Sequence, residues 1–364
     1  METTMKYFKG SFLFSILAIV SGYLLAGWPG AWAVFVLSIL ETSLSFDNAV
    51  VNATVLKDMD DVWKHRFLTW GMIIAVFGMR VVFPMLIVSV TSHMYPIDNP
   101  LAYLGFAGFE HVPNVLDLAV NHPSRYEEAL KGSHISIAGF GGAFLFMVCL
   151  EFFIDNEKGV HWLAALEAPL STLAKYDAIH ILITLGAAYG FSIFLPEATG
   201  HTFFYSAVAG IAAHSLATWI GVLLESEHDG DEQPTSVNVP VVVAKAGLAS
   251  FLYLELLDAS FSFDGVIGAF ALSDNIFIIA LGLGAGAFFV RSLTLMFVDK
   301  GTLDQFRYLE HGAFYAIAAL AAIMFAGTII EISETVTGLL GAGFIGLALI
   351  SSILYNRKME AQTA

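Results

Sequence analysis

The sequence predicts an all-α fold, a polytopic bundle of about ten transmembrane helices carrying an inverted structural repeat with interrupted helices. Three observations lead there: a composition too apolar for water, ten apolar runs of spanning length, and an acidic Ser-Phe-Asp motif that occurs once in each half. Hydrophobic residues make up 57% of the 364 residues and charged residues 13%, against about 25% charged in a typical soluble domain. The chain is therefore expected to form a single transmembrane domain over residues 1–364 with lipid as its main partner.

The apolar runs fall at about 10–27, 31–55, 67–91, 135–154, 177–195, 202–224, 240–271, 276–298, 309–330 and 336–355. Each is close to or above the ~20 residues that a helix needs to cross a bilayer. Lys6 and Lys9 before the first run resemble the start of a signal peptide. Because apolar runs continue along the whole chain, an uncleaved first span is the reading. With the N-terminus inside, eleven basic residues lie in inside segments and only Arg125 and Lys131 lie outside. That bias follows the positive-inside rule and predicts both termini on the cytoplasmic side. The expected location is the bacterial inner (cytoplasmic) membrane.

Two connections are long. Residues 92–134 carry Pro96, Pro100, Pro113 and Pro123, and predict short helices at the outer face. Residues 225–236 are acidic and predict a solvated cytoplasmic linker. Two runs are too long for a simple crossing: 31–55 would extend about 40 Å and 240–271 about 50 Å at ~1.5 Å per residue. Tilt or an interruption resolves this. Asn48 and Gly265, which tolerate left-handed backbone, are the candidate breaks.

Both long runs carry the repeated motif. Glu41-Thr-Ser-Leu-Ser-Phe-Asp47-Asn48 matches Asp258-Ala-Ser-Phe-Ser-Phe-Asp264-Gly265 at four of eight positions, and each copy opens on an acid. Arg80 and Arg291 lie in the following spans, each five residues before a Met. The third span of each unit opens near His134 or His311 and ends near Glu151 or Glu331. Spans 2–4 thus correspond to spans 7–9, and a shift of five spans reverses orientation. Inverted repeats of this kind place their site at the repeat interface, on broken helices. The expected organisation is a first repeat at 30–155, connecting spans and linker at 156–238, a second repeat at 239–335, and a last span and tail at 336–364.

Intramembrane acids are costly and functional by default. Glu41, Asp47, Asp258 and Asp264 offer carboxylate oxygens, and Asn48 a neutral oxygen. Oxygen donors suit Mn²⁺, Ca²⁺ and Mg²⁺. Arg80 and Arg291 are the expected charge-balancing groups: two guanidiniums against four carboxylates leave two negative charges, matching one divalent cation. The bland alternative makes the same acids structural struts. His134, His311 and Glu310 are candidate gate or proton-relay residues. His180 and His214, inside spans, read as satisfied packing residues. Glu151, Asp155, Glu331 and Glu334 line an ion path or face water. Cys149, the lone cysteine, reads as a small packing residue and excludes an intramolecular disulfide.

The first motif resembles the Ser-x-Asp-Asn motif of TerC-like integral membrane proteins, and the second resembles that family's Asp-x-x-Phe-x-x-Asp-Ser motif, with Gly265 in place of the Ser. The likeness covers most of residues 30–335 and suggests a longer branch of that superfamily. It implies divalent-metal handling, chiefly manganese export, and a link to tellurium resistance. The expected substrate is therefore a divalent cation, Mn²⁺ first and Ca²⁺ or Mg²⁺ after it, with no tightly bound cofactor. A net charge of −16 excludes a nucleic-acid footprint. No HExxH or P-loop spacing occurs, so an enzyme is not expected, and Gly282, Gly284 and Gly286 read as helix-packing glycines. A non-transporting scaffold or stress-response partner is the rival function, and a homo-oligomer is compatible with either.

Overall fold

The computed structural model describes residues 2–57, 59–91, 114–156, 158–176, 178–226, 247–330 and 332–363. Among these residues every regular element is helical. The helices are α1 (Glu2–Leu44), α2 (Phe46–Leu56), α3 (Asp61–Ile73), a π-helical segment (Ile74–Val82), α4 (Phe83–Thr91), α5 (Val115–Asn121), α6 (Pro123–Gly132), α7 (His134–Ile154), α8 (Ala164–Ser171), α9 (Ile179–Ser192), α10 (Glu197–Ser226), α11 (Leu248–Ala269), α12 (Ile276–Asp299), α13 (Thr302–Gln305), α14 (Leu309–Ala326) and α15 (Glu334–Thr363). Among the described residues each of the ten apolar runs contains helix, with 240–246 lying outside them. Seven described helices are long and apolar enough to cross a membrane, so the chain is a membrane protein. Of the other two runs, α9 is a shorter apolar helix, and α11 carries Glu255, Asp258 and Asp264.

The long helix α1 is a hairpin. Its backbone leaves helical geometry at Ala26 and Gly27, where Gly27 has φ +65°, a conformation that glycine adopts without steric cost. Gly22 then lies against the Gly30 carbonyl, where a Cβ would collide. The two arms run in opposite directions along α12. Ser11 bonds Ser292 and Phe14 stacks on Phe288, whereas Leu37 meets Gly282 and Glu41 meets Gly286. Leu13, Leu24, Trp28 and Trp32 are exposed around this hairpin. An apolar surface with Trp near the turn suits the lipid interface.

The packing glycines of α12 hold as expected. Gly282 abuts Leu37, Gly284 abuts Val76, and Gly286 abuts Glu41 and the Ser38 carbonyl. Gly286→Ala is expected to push the second arm of α1 off α12, costing about 1–3 kcal/mol as an overpacking change. A lowered thermal midpoint of the detergent-solubilised protein checks this.

One interruption stands where the long runs required it, at a different residue. The helix breaks at Ser45 (φ −98°, ψ 21°), between α1 and α2. Asn48 lies inside α2 and is buried. The second expected break is absent, because α11 runs unbroken through Gly265. Gly265 is small for another reason: a Cβ there would come 3.2 Å from Glu41 Oε2.

The expected short helices are present as α5 and α6, where Tyr126 and Leu130 are buried and Tyr126 packs on Phe270. The rest of that connection, residues 92–113, lies outside the described residues, as do the acidic linker from 227 onward and Glu331. Cys149 is buried in α7, its Sγ 3.2 Å from the Phe146 carbonyl.

Candidate cation site

Breaking the helix at Ser45 turns the first motif into the wall of a small cavity. Glu41 and Leu44 come from the end of α1, Ser45 from the break, and Asp47 and Asn48 from the first turn of α2. Phe261 and Gly265 of α11, Ala316 and Leu320 of α14, and Thr337 and Gly338 of α15 close it. Its volume is about 50 Å³. A single water needs roughly 10–15 Å³, so the space admits an ion with little of its hydration shell. Asp47 is 8% and Glu41 3% exposed. Ser45 Oγ donates to Glu41 Oε1 at 3.1 Å, and the Asn48 backbone N–H donates to Asp47 Oδ1 at 3.0 Å. A Cβ on Gly341 would lie 3.0 Å from Asp47 Oδ2, so α15 covers the carboxylate closely.

Arg80 ties this wall to the second motif. Its Nη2 donates to Glu41 Oε1 at 2.5 Å and its Nη1 reaches Asp258 Oδ2 at 3.4 Å. Nη1 also donates to the Ala75 carbonyl. Arg80 lies in the π-helical segment, a widened turn often found at functional sites. Arg80 is 1% exposed and its guanidinium is held by acids from both halves of the sequence.

The expected ligands thus divide. Glu41, Asp47 and Asn48 line one cavity. Asp258 joins Glu41 through Arg80. The side chain of Asp264 lies outside the described residues, although its neighbour Gly265 lines the cavity. Among the described residues no group of three His, Cys, Asp or Glu is spaced to hold a metal ion.

Arg291 pairs with Glu255 and not with the described motif acids Glu41, Asp47 and Asp258. It donates from Nη2 to Glu255 Oε1 at 3.2 Å and to the Gly71 carbonyl, and from Nη1 to the Phe67 carbonyl. Its guanidinium also lies 3.8 Å over the Phe67 ring. Glu255, one helical turn before Asp258, is the carboxylate within reach of this guanidinium. The sequence reading missed Glu255 because the first motif has no acid at the matching position, where Ser38 stands. The spacing Glu255-x-x-Asp258 on one helix was the available signal.

The candidate gate residues lie elsewhere. His134 is half-buried at the start of α7, with its Cε1 near Gly327. Glu310 stands 3.9 Å from Lys57 Nζ. His311 is buried and bonds the Val160 carbonyl at 2.9 Å, with Glu167 Oε2 3.4 Å away. It belongs to a polar latch that the sequence did not reveal. Glu167 Oε1 accepts from the backbone N–H groups of Trp162 and Leu163 at 3.2 and 3.1 Å and from Tyr315 at 3.3 Å. Its Oε2 accepts from Lys158 and faces His161, both at 3.3 Å. The latch pins residues 158–163 to α14. Nothing periodic marks Glu167, since its partners come from a loop and a distant helix.

Burial alone would raise the Glu167 pKa, but the Leu163 N–H, the His311 ring and Lys158 together hold it below the ordinary value. Lys158 is also lowered, because burial of its ammonium outweighs its attraction to Glu167. The carboxylate's direction governs, since its backbone hydrogen bonds do not depend on the lysine. A carboxyl with a depressed folded pKa adds stability above its unfolded value, lost as pH falls through the folded one. Acidification below the ordinary carboxylate range is therefore expected to release the 158–163 segment. Faster hydrogen exchange at the Trp162 and Leu163 amides is the measurement.

A family model described as "Protein of unknown function (DUF475)" matches residues 46–359. No curated protein and no solved structure matches the chain.

Proposed function

Because the chain belongs to the DUF475 family of proteins of unknown function, we propose from the site itself that it is a secondary transporter of a divalent metal cation. One observation carries this reading: a buried carboxylate cavity at a helix break, bridged to the second acidic motif by a single buried arginine. The charge balance favours a cation. With Arg291 taken by Glu255, Arg80 is the one guanidinium among the described residues that meets the motif acids, through Glu41 and Asp258. Glu41, Asp47 and Asp258 less one guanidinium leave two negative charges if all are ionised, enough for a divalent cation. Burying that charge without a counter-ion is prohibitive. Hard oxygen donors suit Mn²⁺, Mg²⁺ and Ca²⁺, and the TerC-like motifs favour Mn²⁺, moved outward.

The packing supports an inverted repeat. Leu37 meets Gly282 and Glu41 meets Gly286 in one half. In the other half Glu255 meets Gly71, and Asp258 and the Ala75 carbonyl meet at Arg80. Adding 217 to 37 and 41 gives 254 and 258, and subtracting 211 from 282 and 286 gives 71 and 75. These are the offsets of the two aligned motifs and the two arginines, and the pairs agree within one residue. The reading is ten spans with cytoplasmic termini and alternating access by rocking of the repeats. In this conformation Arg80 holds both Glu41 and Asp258 while Arg291 is turned to Glu255. That asymmetry supports a carrier that faces one side at a time.

The test is metal flux into liposomes containing the purified chain, with Mn²⁺, Mg²⁺, Ca²⁺ and Zn²⁺ in competition. Saturable Mn²⁺ flux, competed by the other hard cations, is the expected result. Flux no greater than in empty liposomes for every cation overturns the reading and leaves the scaffold alternative.

A further inference from the structure

We propose that Glu151, His180 and His214 form a proton-binding site, distinct from the Asp47 cavity, that carries the counter-ion for metal movement. The coupling role rests on the transporter reading; the proton site itself does not. Glu151 lies near the end of α7, His180 near the start of α9 and His214 in the middle of α10. Glu151 Oε2 is 3.3 Å from His214 Nε2, and Oε1 is 3.8 Å from His180 Nε2. His214 is 0% exposed, and neither of its ring nitrogens makes a hydrogen bond. The ring is held edge-on between Phe144 and Tyr253.

This is not the environment of a satisfied packing histidine. A buried imidazole with two unpaired nitrogens costs free energy comparable to lost hydrogen bonds. A carboxylate buried beside it is costlier still if unpaired. One proton bound between His214 Nε2 and Glu151 answers the cost at that nitrogen and at the carboxylate. It converts neutral imidazole and carboxylate into an imidazolium–carboxylate pair and takes the cluster from one negative charge to none. Among the described residues, the Tyr253 hydroxyl on α11 also faces Glu151, and the Cys149 thiol on α7 faces Tyr253 in turn. Neither supplies a positive charge. No trio among the described residues is spaced for a metal ion, and histidine is the side chain whose ordinary range lies near neutrality. His180 is 23% exposed in its side chain, so it provides the route by which the proton reaches Glu151 from outside the bundle.

Infrared difference spectra of the purified, detergent-solubilised chain, titrated between about pH 5 and 8, test the site without any substrate. The wild type is expected to show coupled carboxylate and imidazole band changes. Glu151→Gln should abolish the carboxylate component, and His214→Gln should abolish the imidazole component while leaving the fold intact by circular dichroism. Spectra identical to the wild type in both variants overturn the proton site. In liposomes, each variant should retain Mn²⁺/Mn²⁺ exchange and lose Mn²⁺ movement driven by a pH gradient. Full gradient-driven movement in both overturns the coupling role. A wild type that moves no metal but keeps the infrared signal defeats the transporter reading, and the coupling role with it, while the proton site stands.

Discussion

Asp47→Asn should abolish saturable Mn²⁺ flux in liposomes and Mn²⁺ tolerance in cells that rely on this chain, while the protein still inserts. The substitution keeps size and one oxygen but removes the charge of the carboxylate that faces the cavity most directly. Asp47 lies in the first turn of α2, at 8% exposure, with its Oδ2 close beneath Gly341. Its supporting bond comes from the Asn48 backbone N–H, which an amide oxygen accepts equally well. The fold therefore has little to lose and the ion has most to lose. A supporting partner is typically worth ten- to a hundredfold in metal affinity. Loss of a direct ligand should exceed that, at about a hundredfold or more. Asp264→Asn is expected to behave alike if the second motif contributes equally. Wild-type flux in both variants would sink the site.

Arg80→Met should act on the fold instead. Glu41 and Asp258 would be left buried with no cation between them, and breaking a buried pair in this way costs about 3–5 kcal/mol. Arg80 also donates to the Ala75 carbonyl, so the π-helical segment loses a bond with it. The expected result is a large drop in thermal midpoint and poor yield. Adding Glu41→Gln should restore part of the stability, because it removes one of the two stranded charges. Arg80→Lys should rescue incompletely, since one ammonium cannot present two parallel donors to acids on different helices. If Arg80→Met is as stable as the wild type, the guanidinium is not the bridge described. Rescue of stability without rescue of flux would mark Glu41 as part of the ion path as well as a strut.

Much of the framework was legible along the chain. Apolar runs of spanning length marked each long helix, because lipid demands that backbone polar groups be paired within the segment. The duplicated Glu41–Asp47 and Asp258–Asp264 motifs marked the acids, and the overlong 31–55 run marked an interruption. The break fell at Ser45, inside the motif, because local propensity at Asn48 was overridden by its burial within α2. Gly265 stayed helical, and its missing Cβ leaves room for Glu41.

Partnership was not legible. Matched arginines implied matched roles, yet Arg80 took Glu41 and Asp258 while Arg291 took Glu255. The choice depends on which carboxylate lies within reach of each guanidinium once the helices are packed. In a low-dielectric interior that contact outweighs every more distant charge. The histidines tell the same story. His311 found Glu167 and the Val160 carbonyl, and His214 found Glu151. The sequence by itself determined that this is a helical membrane protein with paired acidic motifs. Only the tertiary structure decided which charges meet, because ionic pairing is settled over a few ångströms between helices far apart in the chain.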